Sequence, residues 1–120
     1  MQWAAELGVK LLLESHGRVP DTIDGMAAVL DKLGHPETVG ICVDTGNSRL
    51  GGAESLHYVK TFRNCIGHIH WNDMPKEMEA QRGKVYGCSM GGIPLGDGGV
   101  GIPAIVNALN QSGFNGATTL

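Results

Sequence analysis

The sequence predicts an α/β fold with parallel strands, and three observations carry that prediction. Short aliphatic runs alternate with segments of helical spacing, in the order β-α-β-α-β-α-β. The helical segments carry recognisable start and stop residues. Three successive strands each end in a carboxylate or imidazole side chain. Joined by right-handed crossovers, this order fits either an open doubly wound sheet or a portion of a (β/α)8 barrel. Periodicity alone does not choose between them.

The elements follow in order. Val9 to Glu14 (VKLLLE) is an aliphatic strand that ends at a carboxylate. Asp21-Thr22 supplies an N-cap. Ile23, Met26, Ala27, Leu30 and Leu33 then recur at helical spacing, and Gly34 closes that helix before Pro36. Val39 to Val43 (VGICV) is a second, buried strand leading to Asp44. Glu54 to Arg63 is a helix with Leu56, Val59 and Phe62 on one face, and Cys65 to His70 (CIGHIH) is a third strand. Trp71 to Gly101 has little periodicity and holds 8 of the 19 glycines, which favours a lid or binding loop. Pro103 stands near the start of a helix carrying Ile102, Ile105, Val106 and Leu109, with Gly113 as its stop. Gly116 to Leu120 (GATTL) is a fourth strand.

Composition narrows the class. At 120 residues the chain holds one domain at most, residues 1–120. An apolar fraction of 42% with a net charge of −3 excludes a disordered chain, and the glycines keep no period of three, which excludes collagen. The small acidic excess provides no electrostatic basis for nucleic-acid binding. Cys42, Cys65 and Cys88 are odd in number and lack CxxC spacing, which indicates a reducing compartment. Met1-Gln2-Trp3 opens no secretory signal, and the run Leu11 to Leu13 is far too short to span a membrane. The expectation is a soluble, cytoplasmic chain. The first strand-to-helix turn, Glu14-Ser15-His16-Gly17, contains neither GxGxxG nor GxxxxGK[ST], which lowers the odds of a nucleotide fold.

The chemistry lies in the strand ends. In parallel α/β folds the C-terminal ends of strands converge on one face, where active sites are built. Glu14, Asp44 and His70 arriving there suit a divalent ion of Mg, Mn or Co type, with Zn as a further candidate, better than a thiolate-loving metal. Any one of them alone is more often a helix cap or a solvated loop residue, so their shared placement carries the argument.

At these residues the sequence resembles a known family. Glu14 in LLLESHG, Asp44 in VDTGN and His70 in GHIHWND are similar to three consecutive metal-ligand motifs of the xylose-isomerase-like TIM-barrel superfamily. That superfamily includes sugar and sugar-phosphate isomerases and epimerases, inosose dehydratases and endonuclease IV. The tail GIPLGDGGVGIPAIVNALNQSGFNGATTL resembles its closing segment, so the similarity covers essentially the whole chain. The resemblance implies a partial (β/α)8 TIM barrel, roughly its fifth to eighth strands with the intervening helices. It gives Glu14 a double role as metal ligand and acid/base, with Asp44 and His70 as further ligands. His16, Asn47, His68 and Asp73 become candidate substrate-binding groups, Asn47 standing where many relatives carry histidine. Asp73 is alternatively an orienting partner of His70.

The departures shape the functional expectation. Family members bring a second acidic ligand after a segment like TTL, and this chain stops at Leu120. A barrel of this class uses about 250 residues. The chain is therefore expected to be a fragment truncated at both ends, itself inactive, or a half-barrel that associates into homo-oligomers. The parent enzyme is expected to be a sugar or sugar-phosphate isomerase or epimerase, moving a proton through an enediolate between two glutamates. The rival is a dehydratase of the inosose dehydratase kind on the same ligands. An endonuclease IV-like nuclease is disfavoured, because that branch resembles DTGH where this chain reads DTGN. The partner expected is a small sugar or sugar phosphate, with neither nucleic acid nor membrane.

Overall fold

The computed structural model describes residues 2–34, 37–87 and 91–120. The expectations that touch Met1, Pro36 and Cys88 lie outside these residues. Four parallel strands form one sheet: β1 (Leu11–Glu14), β2 (Val39–Asp44), β3 (Ile66–His70) and β4 (Ala117–Thr119). Their spatial order is β1-β2-β3-β4, the same as their chain order. A doubly wound sheet reverses direction at a switch point, whereas a barrel adds each strand beside the last. The sheet is an arc of a (β/α)8 barrel.

Among the described residues five α-helices accompany it: α1 (Gln2–Glu6), α2 (Ile23–Leu33), α3 (Thr45–Leu50), α4 (Ser55–Phe62) and α5 (Ile102–Gln111). The N-cap of α2 is Thr22, whose hydroxyl accepts from the Gly25 amide at 3.1 Å, and Gly34 ends the helix at φ 69°. Ile41, Val43 and Ile69 on the convex side of the sheet join Met26, Leu30, Tyr58, Val59, Ile105 and Leu109 in one core. Complete burial of each such aliphatic side chain contributes about 1.5–3 kcal/mol, so this cluster holds the helices on the convex face. The strand β2, buried throughout, lies at its centre.

One irregularity sets the site. Ile41 pairs with Ile66, but Cys42 pairs with His68 and Asp44 with His70, so Gly67 is an extra residue in β3. Because strand side chains alternate faces, regular pairing would have placed His68 and His70 opposite to Asp44. The bulge turns both histidines to the concave face that Asp44 occupies. Space is tight there: a Cβ on Gly67 would stand 2.8 Å from the tip of the Leu12 side chain, and one on Gly40 2.7 Å from the Cys65 carbonyl oxygen.

The structure departs from the expected elements in three places. Strand β1 starts at Leu11 rather than Val9, because the Val9 amide donates to the Ala4 carbonyl at 2.8 Å and closes α1. Helices α1 and α3 were not expected. The segment 71–101, expected without regular structure, contains a 3-10 helix, Lys76–Gln81. Arg82, which follows this 3-10 helix, binds the carbonyls of Arg49, Gly52 and Ala53 and the carboxylates of Glu54 and Glu79. Among the described residues, no helix is long and apolar enough to cross a membrane.

Candidate metal centre at the strand ends

Glu14, Asp44 and His70 end β1, β2 and β3, and each offers one ligand atom within 4.8 Å of the others. The three are held differently. Glu14 Oε1 and His70 Nδ1 lie 3.1 Å apart, and both side chains are more than a third exposed. Asp44 is almost completely buried and fully braced. Its Oδ1 accepts from the Asn47 amide at 2.8 Å, so the same carboxylate caps α3. Its Oδ2 accepts from Asn72 Nδ2 at 2.6 Å. The Ser15 hydroxyl accepts from the Asp44 amide at 2.8 Å and donates to its carbonyl at 3.2 Å. Thr45 Oγ1 in turn donates to the Asn72 carbonyl at 2.7 Å and accepts from its amide at 3.0 Å.

Burial pushes the Asp44 carboxyl above its ordinary range, with the Glu14 charge adding to the rise; N–H donors from Asn47, Asn72 and Gly46 oppose it. A divalent cation among these three groups would offset both the burial and the carboxylate repulsion, and oxygen and imidazole donors suit a hard or borderline ion. The donor set fits such a metal. Cys42 is buried at the same strand end, and burial, reinforced by Glu14 and Asp44, pushes its thiol up to about 11.

Above the triad opens a cleft of about 310 Å³. The structure brings His16, Asn47 and Asp73 to its walls, together with Asn72 and the glycines Gly91 and Gly92. Asn47 is buried in the first turn of α3, and the His16 ring packs over Gly87, where a Cβ would stand 3.2 Å away. His68 is not brought to the cleft. It stands two residues deeper along β3, its ring edge-on to His70 at 5.0 Å, its Nε2 3.1 Å from Thr119 Oγ1. A two-residue step along a strand is about 6.6 Å, which takes it out of the wall. A groove of about 370 Å³ between the start of α2 and the α3–α4 turn is lined by Thr22, Asp24 and His57 among others, but no strand end reaches it.

Two groups escaped the sequence reading. Asn72 lies within the motif GHIHWND, and nothing in its spacing announces a contact with Asp44. Asp21, expected as part of a helix cap, is instead fully buried, its Oδ2 accepting from the Gly17 and Gly87 amides at 3.1 and 3.3 Å. Its Oδ1 has no hydrogen-bond partner among the described residues, and burial pushes the carboxyl to about 6. A buried acid beside an apolar-flanked turn looks, in sequence, like any capping aspartate.

A barrel arc with metal-competent ligands at the C-terminal ends of its strands defines a class of α/β enzyme scaffolds. The chain belongs to the xylose isomerase-like TIM barrel family, whose model matches residues 1–120. It is 28% identical over 120 residues to an inosose dehydratase of Clostridium perfringens, covering 94% of this chain and 40% of that protein. It is 29% identical over 119 residues to the rhizopine catabolism protein MocC of Rhizobium meliloti, covering 93% and 36%. Among solved structures it superposes on a xylose isomerase domain protein of Planctomyces limnophilus with a TM-score of 0.79, at 24% identity, covering 98% of this chain and 40% of the other. It also matches the probable 3-DHS dehydratase AsbF of Bacillus anthracis with a TM-score of 0.77, at 21% identity, covering 97% and 44%. The chain thus spans about 40% of the length of the inosose dehydratase it matches.

Proposed function

We propose that residues 1–120 form part of a metal-dependent dehydratase acting on a small polyhydroxylated carbonyl compound, with Glu14, Asp44 and His70 as metal ligands. The observation that carries the metal site is the convergence of three ligand atoms within 4.8 Å at the ends of three adjacent strands. The relatives named inosose dehydratase support water elimination over the isomerase or epimerase chemistry expected from the sequence.

A divalent cation bound there would act as a Lewis acid on substrate oxygens, acidifying the hydrogen next to a carbonyl. The chain's own residues would divide the remaining work. Asp44, braced through both oxygens, is the fixed ligand. Glu14 is the least restrained carboxylate and is partly open to solvent, so it is the group to take the carbon-bound proton. Elimination then breaks the C–OH bond on the neighbouring carbon, and the departing hydroxide takes a proton to leave as water. His16 and Asn47 line the cleft where substrate hydroxyls would sit, and Asp73 shares that wall.

The same donor set serves an isomerase or epimerase, which shares the first proton removal and differs in where a proton returns. The test is titration of the protein with Co2+, followed by visible absorption. Wild type should bind one ion, and Asp44→Asn should lose at least about ten-fold in affinity. Equal binding by the two proteins, or none by wild type, would remove the metal site and the reading built on it.

A further inference from the structure

The Asp73 carboxylate is buried, and its hydrogen bonds among the described residues are all to main-chain amides. Oδ1 accepts from Met74 at 3.0 Å and from Val100 at 3.1 Å; Oδ2 accepts from Gly96 at 2.8 Å and from Gly98 at 3.1 Å. A carboxylate offers about four acceptor sites, and four N–H groups use them. The loop is shaped to the anion. Gly96 stands at φ 101°, and a Cβ on Gly98 would lie 2.3 Å from Asp73 Oδ1. The Gly99 amide adds a bond to the Met74 carbonyl at 2.9 Å. Amides of alternate loop residues, Gly96, Gly98 and Val100, turn toward the one anion and form a main-chain concavity of the nest kind.

We propose that Asp73 is a positioning residue: its carboxylate is the internal anion of a main-chain nest from Gly96 to Val100, tying the glycine-rich loop to the end of β3. The neighbouring Asn72 holds Asp44, and Gly91 and Gly92, just before the nest, line the cleft. The clasp therefore joins the cleft-bordering loop to the brace of a ligand carboxylate. Its consequence for metal binding rests on the function proposed above; the clasp itself does not.

The test compares wild type, Asp73→Ala and Gly98→Ala by amide hydrogen exchange and by Co2+ titration, with and without acetate at constant ionic strength. In Asp73→Ala, exchange at Gly96, Gly98 and Val100 should accelerate by at least about ten-fold while the amides of β2 stay protected. Acetate, a carboxylate small enough for the emptied nest, should restore protection and recover the several-fold loss in Co2+ affinity. In Gly98→Ala the acceleration at Gly96 and Val100 should appear without acetate rescue, because the native carboxylate is still present. Undisturbed loop amides in Asp73→Ala, as expected if Asp73 served substrate alone, would overturn the proposal, and so would an acceleration that acetate leaves unchanged. Should Asp73→Ala fail to fold, unchanged exchange in Gly98→Ala overturns it. Absence of Co2+ binding by wild type would sink the metal reading only, since exchange and its rescue involve no metal.

Discussion

Asn72 Nδ2 donates to Asp44 Oδ2 at 2.6 Å, across the cleft end of two neighbouring strands. With the Asn47 amide on Oδ1, it leaves the Asp44 carboxylate one orientation. A ligand oriented in advance loses little freedom on binding a cation, and outer partners of this kind are typically worth 10–100-fold in metal affinity. Asn72→Ala should therefore weaken Co2+ binding by about 10-fold or more while shifting thermal stability little, because Asn72 is only half-buried. Calorimetric titration beside a thermal melt separates the two effects. Unchanged affinity would show that Asp44 needs no such brace.

Glu14 is expected to matter to proton transfer beyond its share of metal binding. Glu14→Gln keeps the size and one acceptor oxygen of the side chain but cannot take a proton. With metal saturating, it should slow exchange of a hydrogen next to a ketone by about 10²–10⁴-fold in D2O. Proton NMR of an inosose incubated with the full-length enzyme of which residues 1–120 form part measures this, and the same spectra distinguish water loss from return of a proton. Chelation with EDTA should abolish both exchange and elimination. Exchange that survives Glu14→Gln at full metal occupancy would assign the base elsewhere.

Asp21 predicts a pH dependence of stability. Its folded carboxyl titrates at about 6, above the ordinary value of 3.8, because burial disfavours the charge. Between those values the folded state holds more protons than the unfolded state, so stability declines as pH rises from about 4 to about 6 and levels off above. Two units of difference correspond to at most about 3 kcal/mol. Asp21→Asn retains an acceptor for the Gly17 and Gly87 amides and carries no charge. Melting temperatures from pH 4 to pH 8 should therefore fall less for this variant than for wild type. Parallel curves would mean that Asp21 does not control this window.

Arg82 is expected to act on stability and not on the site. Its guanidinium binds three carbonyls, at 3.1–3.2 Å, and two carboxylates, joining the 3-10 helix to the α3–α4 turn. Lysine carries the charge without the planar fork, so Arg82→Lys should destabilise by about 1–2 kcal/mol, with Co2+ affinity unchanged. Urea denaturation provides the check. A loss of metal affinity at constant stability would instead place Arg82 within the site's support.

The legible parts of the fold are those in which one face of an element is apolar. Val39 to Val43 reads as a buried strand because every position is aliphatic, glycine or cysteine, and α2 and α5 show their core face as spaced aliphatic residues. The illegible parts lack that signal. Helix α3, TGNSRL, has no apolar period and exists because Asp44 caps it. Helix α1 is five residues long, too short to show a period.

The sequence by itself determined the order of the strands and the side chains that end them, because hydrophobic period and terminal residues are local properties. It also marked Glu14, Asp44 and His70 through motifs read along the chain. Only the tertiary structure decided which of these side chains share a face. The Gly67 bulge brings His70 into register with Asp44, and the distant Asn72 fixes the Asp44 carboxylate. The glycines expected to form a lid are, between Gly96 and Gly99, the binding partners of Asp73 and its neighbour Met74. These relationships depend on pairing and close approach between segments about 20 to 30 residues apart, and no local period encodes a contact at that separation.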